Sequence, residues 1–129
     1  MKKILVVEDS AAVRSLVRAI LEDPAFADAH GGCEVAEATC GFDAMRLLPR
    51  GRYDLIITDI NMPDINGLEL INFVKKNPNY RDTPLFIVST ESSETDRKRG
   101  LALGAVEYLV KPFEPDVLTS LVRRHMKLG

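Results

Sequence analysis

The sequence predicts an α/β fold: a doubly wound parallel sheet of five strands with helices on both faces. Three observations carry that prediction. First, four short apolar runs lack the alternation of a half-exposed strand, as strands covered on both faces do: Ile4-Leu5-Val6-Val7, Leu55-Ile56-Ile57, Phe86-Ile87-Val88 and Tyr108-Leu109-Val110. Second, stretches with helical spacing alternate with these runs along the whole chain, which implies right-handed crossovers between parallel strands. Third, the runs stop at Glu8-Asp9, Thr58-Asp59, Ser89-Thr90 and Lys111-Pro112, so chemistry-bearing side chains are set where strands end.

Taken in order, Lys3 to Val7 is the first strand. Ser10 is a candidate N-cap, and Val13, Leu16, Val17, Ile20 and Leu21 follow at the spacing of one helix face. Asp23 to Gly32 is the least compact stretch and reads as a loop or broken helix end. Cys33 to Ala38 is a weaker strand. Phe42 to Leu48 is a short helix opened by Gly41 and closed before Pro49. Leu55 to Thr58 is the third strand, and a loop with Pro63 and Gly67 leads into a helix through Leu68, Ile71 and Val74. Pro84 precedes the fourth strand, Leu85 to Val88. Glu94 to Leu103 is a polar helix, with Ser92 and Ser93 before it and Gly100 inside it. Ala105 to Val110 is the fifth strand, and Glu114 to Lys127 the last helix, with Val117, Leu118, Leu121 and Val122 on one face.

The 129 residues suit one domain, residues 1–129, with a real core. Apolar residues make up 46% and charged residues 28%, an ordinary globular composition. A net charge of -2 offers no basic face for direct contact with nucleic acid. No apolar run approaches the roughly 20 residues of a membrane span. The Met1-Lys2-Lys3 start lacks the apolar region and cleavage site of a signal peptide, so a cytoplasmic location is expected. Cys33 and Cys40 have neither CxxC spacing nor a nearby His, and are expected to be reduced structural thiols.

Parallel strands line up their C-terminal ends along one sheet edge, where open α/β folds bind ligands. Glu8, Asp9, Asp59, Ser89 and Lys111 are therefore expected in one crevice. Acidic residues at strand ends can simply start loops or cap helices, and for Asp9 alone that explanation is as good as any. Three crowded carboxylates are another matter, because like charges raise each other's pKa unless a cation neutralises them. Mg²⁺ fits, with Mn²⁺ a possible substitute, because it takes oxygen ligands and needs only one or two carboxylates. Lys111 offers a point charge to a phosphoryl oxygen and Ser89 a hydroxyl. Asp59 is then the nucleophile, since carboxylates form acyl phosphates.

These residues together resemble the receiver domain of two-component response regulators, CheY-like single-domain regulators most of all. The matching stretches are Val-Val-Glu8-Asp9-Ser, Ile-Thr58-Asp59-Ile-Asn61-Met62-Pro63 followed by Gly67, Ile-Val-Ser89, and Tyr108-Leu-Val-Lys111-Pro112-Phe113. They span essentially the whole chain and stand in the expected order. The resemblance implies a flavodoxin-like (βα)5 sheet of strand order 2-1-3-4-5, an order taken from the likeness rather than deduced. It implies Asp59 as phosphoacceptor, Asp9 as a direct Mg²⁺ ligand, Glu8 acting through water, and the Asn61 backbone carbonyl completing the metal site. Ser89 matches the switch hydroxyl, Tyr108 the switch aromatic, Lys111 the phosphoryl-binding lysine, and the Lys111-Pro112 bond is expected to be cis.

Three departures stand out. Glu8 replaces the commoner Asp and keeps the charge. Thr90 stands where the family usually has Ala or Gly, and its β-branch is expected to narrow the phosphoryl pocket. The Asp23 to Gly32 segment is longer than usual and reads first as a tolerated surface insertion.

The implied function is phosphorelay signalling. Asp59 takes a phosphoryl group from a sensor histidine kinase, a phosphotransfer protein or a small acyl phosphate, and a face made by the fourth helix, fifth strand and fifth helix switches its binding to an effector protein. The protein would catalyse only its own phosphorylation and dephosphorylation, as a monomer or a weak dimer through that face. The polar fourth helix, with a helical Gly100 costing about 0.5–1 kcal/mol relative to Ala, suits a weakly anchored switch. Competing readings are a phosphate shuttle or sink, and a pseudo-receiver that binds without phosphorylation. A flavodoxin-like cofactor binder is disfavoured because Glu8-Asp9 would repel a phosphate. An aspartate-nucleophile phosphatase is disfavoured because Asn61 stands where an acid/base carboxylate is wanted. The sequence stops about a turn past the last helix, with no room for a DNA-binding output domain, which implies either a stand-alone regulator or a piece of a longer one. His30 and His125 have no matched metal or catalytic partner, and Arg123, Arg124 and Lys127 read as cations suited to a helix C-terminus.

Overall fold

A computed structural model describes residues 2–27, 32–90 and 94–126. The strands are β1 (Lys2–Val7), β2 (Cys33–Ala38), β3 (Leu55–Thr58), β4 (Leu85–Ser89) and β5 (Glu107–Val110). They form one parallel sheet in the order β2-β1-β3-β4-β5. The principal helices are α1 (Ala11–Leu21), α2 (Gly41–Leu47), α3 (Gly67–Lys76), α4 (Glu94–Leu103) and α5 (Pro115–His125).

The central strands are apolar without alternation because both faces are covered. Ile4, Val6, Leu55, Ile57, Phe86 and Val88 point toward Val17 and Leu21 of α1 and Leu118 and Val122 of α5. Leu5, Val7, Ile56, Leu85 and Ile87 point the other way, toward Ala44 of α2 and Leu70, Ile71 and Val74 of α3. Successive strand residues thus feed two separate cores, as strand geometry requires. The edge strands β2 and β5 are only partly buried, which accounts for the weaker apolar signal of β2.

Ser10 caps α1 by accepting a hydrogen bond from the Val13 N–H at 3.3 Å. Asn66 caps α3 by accepting from Leu68 N–H at 2.7 Å. The α2 helix has no side-chain cap from Cys40. Asp64, from the loop after β3, accepts from the N–H groups of Gly41 (3.1 Å) and Phe42 (2.8 Å) in its place. The chain also runs one 3₁₀ turn past α2, Leu48–Arg50, with Pro49 accepted at its start rather than ending helical structure outright.

Several expectations need correction. The fifth strand begins at Glu107, not Ala105, because the Ala105 N–H closes the end of α4 on the Gly100 carbonyl and Gly104 turns the chain at φ +122. The last helix ends at His125, not Lys127, and Lys127 lies outside the described residues. Leu16 and Val117 were expected on core faces but are 49% and 46% exposed. Within Asp23 to Gly32, Pro24–Ala27 forms one helical turn. Residues 28–31, with His30, lie outside the description, as do Ser92 and Ser93. Gly100 is not simply a weak point of α4. It is that helix's buried residue, and a Cβ there would meet the Ile87 side chain at 2.3 Å, so it lets α4 lie close on β4.

Candidate functional site

Register brings the strand ends level. Val7 pairs with Ala38 and Thr58, Thr58 with Ile87, and Ser89 with Val110. The residues just beyond these pairs therefore share one edge. Carboxylate oxygens of Glu8, Asp9 and Asp59 lie within 4.8 Å of one another, with Glu8 and Asp59 buried and Asp9 exposed.

Lys111 reaches into the cluster from the end of β5. Its Nζ donates to Glu8 Oε1 and, at 3.3 Å, to Asp59 Oδ2. The other Glu8 oxygen accepts from the Ser10 N–H at 3.0 Å. Asp59 Oδ1 accepts from the N–H groups of Ile60 (2.7 Å) and Asn61 (3.4 Å). Both carboxylates are thus aimed by the backbone and share one ammonium. Burial pushes the Glu8 carboxyl above its usual range; Lys111 and the Ser10 N–H work against that, and neighbouring Asp9 and Asp59 add to it. Burial disfavours the Lys111 ammonium, but Glu8 and Asp59 more than offset this and hold its pKa above the usual value.

One ammonium facing three carboxylates leaves a surplus of negative charge. The donors are all oxygens, two of them held by backbone N–H groups, which is the chemistry a hard divalent cation such as Mg²⁺ takes. The acidic cluster fits such an ion.

The other expected residues lie on β4, on β5 and in the segments that follow β3, β4 and β5. Ser89 is fully buried at the end of β4, and its carbonyl accepts the Lys111 N–H at 2.8 Å. The Lys111-Pro112 bond is cis. Tyr108 sits half-buried in β5 opposite Ile87 and packs against the core on the α2–α3 side of the sheet. Thr90 is exposed and lines a cavity of about 310 Å³ with Val13, Leu16, Lys111, Pro112 and Phe113. Asn61 is exposed in the loop after β3. That loop closes on itself through Gly67 N–H to Ile60 carbonyl, 2.8 Å.

Sequence reasoning missed four contacts. Gly67 packs directly beneath Asp59: a Cβ there would stand 2.2 Å from the Asp59 carbonyl oxygen. Asp64 caps α2, as described above. Arg14 of α1 donates to the Glu8 carbonyl at 2.7 Å. His125 Nε2 lies 2.7 Å from Glu107 Oε2 and meets the Phe86 ring edge-on, so it does have a partner, though not a metal or catalytic one. The signal for Arg14 was present in the charges at 14 and 18 on α1 facing Glu37 on β2, but charge alone does not say which partner it meets. Cys33 and Cys40 are both free thiols, as expected.

No helix among the described residues is long and apolar enough to cross a membrane. Residues 4–123 match the family model for the response regulator receiver domain. The chain is 38% identical over 117 residues to the chemotaxis protein CheY homologue of Campylobacter jejuni, covering 90% of this chain and 85% of that protein. It is 32% identical over 127 residues to the sensor histidine kinase CheAY of Helicobacter pylori, of which it spans only 15%. Its fold superposes on the chemotaxis response regulator CheY4 of Vibrio cholerae with a TM-score of 0.85 at 36% identity, covering 97% of this chain and 98% of that one. The sheet order, the carboxylates gathered at its edge and these matches agree, and the chain belongs to the response regulator receiver domain family of two-component systems.

Proposed function

We propose that the protein works as one receiver domain in the cytoplasm, taking a phosphoryl group on Asp59 in a Mg²⁺-dependent reaction. The observation that carries this reading is the meeting of Glu8, Asp9 and Asp59 with Lys111 at one sheet edge. The donor is a sensor histidine kinase, a phosphotransfer protein or a small acyl phosphate. An Asp59 oxygen attacks the donor's phosphorus, the bond from phosphorus to the donor atom breaks, and a mixed anhydride forms. Asp59 Oδ1 is occupied by two backbone N–H groups while Oδ2, among the described residues, accepts from Lys111 alone, which favours Oδ2 as the attacking atom.

Asp9, Asp59 and the Asn61 carbonyl would hold the ion directly. Glu8, with each oxygen already accepting a hydrogen bond, suits contact through water. An ion held there would supply positive charge to the phosphoryl oxygens. Lys111 does the same from the β5 side, and Ser89 offers its hydroxyl to a third oxygen.

The added charge, roughly -1.5 to -2, draws Ser89 and lets Tyr108 turn inward. The switched surface is α4–β5–α5. Leu101 and Leu103 on α4, Val106 in the following turn and Val110 on β5 are exposed there, which suits a face that meets an effector protein, or weakly a second copy. Thr90, exposed and lining a cavity with Lys111, is expected to narrow the phosphoryl pocket and slow phosphoryl turnover, so Thr90→Ala should speed it; unchanged labelling and decay rates would sink that role.

The test is acetyl-phosphate labelling with and without Mg²⁺, wild type against Asp59→Asn, read by intact mass. A Mg²⁺-dependent adduct absent from the variant supports the reading. An equal adduct on Asp59→Asn, or one indifferent to Mg²⁺, refutes it. With no adduct on either, a beryllofluoride titration separates a kinase-dependent receiver from a pseudo-receiver.

A further inference from the structure

Arg14 has no part in the phosphoryl chemistry above, yet it touches the turn that carries the acidic pair. Its Nη1 donates to the Glu8 carbonyl at 2.7 Å, and its Nε meets Glu37 Oε1 at 3.0 Å. Glu37 is held in turn: its other oxygen is 2.9 Å from Arg18 Nη1, and Arg18 Nη2 donates to the Val35 carbonyl at 2.5 Å. A chain of charge-assisted contacts therefore runs from edge strand β2 through two arginines of α1 to the peptide that joins Glu8 to Asp9.

Residue Glu8 is pinned at three points, and the Arg14 contact is the one made to that peptide itself. The Glu8 N–H donates to the Ala38 carbonyl at 3.0 Å, the Ser10 N–H returns to the Glu8 carboxylate, and Arg14 takes the Glu8 carbonyl. Glu8 and Asp59 are buried, so packing helps to aim them. Asp9 is exposed, and its direction depends on the backbone beneath it. We propose that Arg14 is a positioning residue for the cation site: by fixing the Glu8–Asp9 peptide it sets the direction in which Asp9 presents its carboxylate. This rests on the reading of Glu8, Asp9 and Asp59 as a Mg²⁺ site.

The chemistry gives the proposal a sign. A guanidinium beside a cation site repels the cation, so if charge were its only influence, removing Arg14 would tighten Mg²⁺ binding. A positioning role predicts the reverse. Residues that orient metal ligands from behind typically cost about 10–100-fold in metal affinity when lost. Lysine does not replace arginine here, because a single ammonium keeps the charge but lacks the planar fork that reaches Glu37 and the Glu8 carbonyl together.

The experiment is calorimetric Mg²⁺ titration of wild type, Arg14→Met, Arg14→Lys and Glu37→Gln, with thermal unfolding in EDTA to establish that each is folded. Arg14→Met is expected to bind Mg²⁺ about tenfold or more weakly, and Arg14→Lys and Glu37→Gln to weaken it in the same direction. A purely structural role would lower the unfolding temperature and leave the affinity of the folded protein unchanged. Equal or tighter binding by folded Arg14→Met overturns the proposal. Should that variant not fold, unchanged affinity in both Arg14→Lys and Glu37→Gln overturns it. A wild type that binds no Mg²⁺ overturns the underlying site together with this inference, an outcome distinct from wild-type binding with unaffected variants.

Discussion

Replacing Gly67 by alanine puts one methyl group against the floor of the site. The new Cβ would stand 2.2 Å from the Asp59 carbonyl oxygen and 2.8 Å from the Ile60 Cα. Both are backbone atoms at the end of a buried strand, so neither can swing away as a side chain would. Reaching ordinary contact at 3.4 Å means moving α3 or the Asp59–Ile60 backbone by about 1.2 Å. Forced overpacking of this kind costs about 1–3 kcal/mol, here at the upper end. Gly67 is the first residue of α3, so alanine returns only part of the glycine penalty of a helix interior, about 0.5 kcal/mol. The net loss is about 2 kcal/mol, or roughly 8 °C in unfolding temperature for a domain of this size. Misplacing a reacting group by about 1 Å can cost about a hundredfold in rate, so acetyl-phosphate labelling of Asp59 should fall at least tenfold. Gly100→Ala is the control, because its close contact is with the Cδ1 tip of Ile87 at 2.3 Å, its next neighbours standing at 3.7 Å or more, and a side-chain tip can turn away. It should stay within about 1 kcal/mol of wild type and keep its labelling rate. Thermal unfolding by circular dichroism and labelling by intact mass read both variants. A Gly67→Ala protein as stable and as quickly labelled as wild type would refute the argument.

Three further outcomes are expected. Lys111→Met leaves the nearly buried Glu8 carboxylate without its cation, costing about 2–3 kcal/mol at pH 8. Because the folded-state pKa of Glu8 is already raised, its stabilising contribution is complete below the usual carboxyl pKa and is lost as pH rises, so the deficit should shrink toward pH 4; chemical denaturation at both pH values reads this, and a deficit that is the same at both contradicts it. Burial, with Glu22 and Asp54 nearby, pushes the Cys33 thiol up to about 11 from a usual 9.0, so alkylation of Cys33 in the folded protein should be slow at pH 8 and climb toward pH 11, with stability falling as pH rises from about 9 through 11; rapid alkylation at pH 8, located by peptide mass, would count against it. Asp64→Ala removes the borrowed cap of α2 and should cost about 1 kcal/mol, the low value suiting an exposed carboxylate; although desolvation works the other way, the Phe42, Ile65 and Gly41 N–H groups hold the Asp64 carboxyl well below its usual range, so this stabilisation is present above pH 4 and lost as pH falls below it, and a variant matching wild type at pH 7 would remove the cap from the account.

The parts of this molecule that were legible in the sequence are those set by pattern. β1, β3 and β4 announce themselves because both faces are buried and every residue is apolar. The site residues announce themselves because each follows such a run, and parallel register carries them to one edge. What was not legible depends on partners far apart in the chain. Leu16 has the right spacing for the core, but it lies at the margin of the α1 stripe and faces the cavity beside Thr90 and Phe113. The start of β5 was misplaced because Ala105 is apolar and buried, yet its N–H is used to finish α4. Asp64 and Arg14 are polar residues in unremarkable positions, and no periodicity says that one caps a helix 23 residues earlier and the other grips the Glu8 carbonyl. The helical glycine at 100 was read as weakness, when its missing side chain is what allows close packing on Ile87.

Those two glycines also divide the labour of the fold. Gly67 brings α3 against the backbone of the strand that carries Asp59, where any shift must move main chain. Gly100 brings α4 against a side chain at the middle of β4, where a shift costs only a rotamer. Around the first contact the chain is fixed by hydrogen bonds from backbone N–H groups: Gly67 to the Ile60 carbonyl, Asp59 to the Val7 carbonyl, and Ile60 and Asn61 to the Asp59 carboxylate. Around the second, α4 has Gly100 as its buried residue and leaves Leu101 and Leu103 exposed. Phosphoryl chemistry needs reacting groups that do not move, and a switch needs an element that moves cheaply. The sheet thus meets α3 through main chain at Gly67 and α4 through the Ile87 side chain at Gly100, so a displacement of α3 is resisted by the strand that leads to Asp59, while one of α4 at Gly100 is met first by a rotamer.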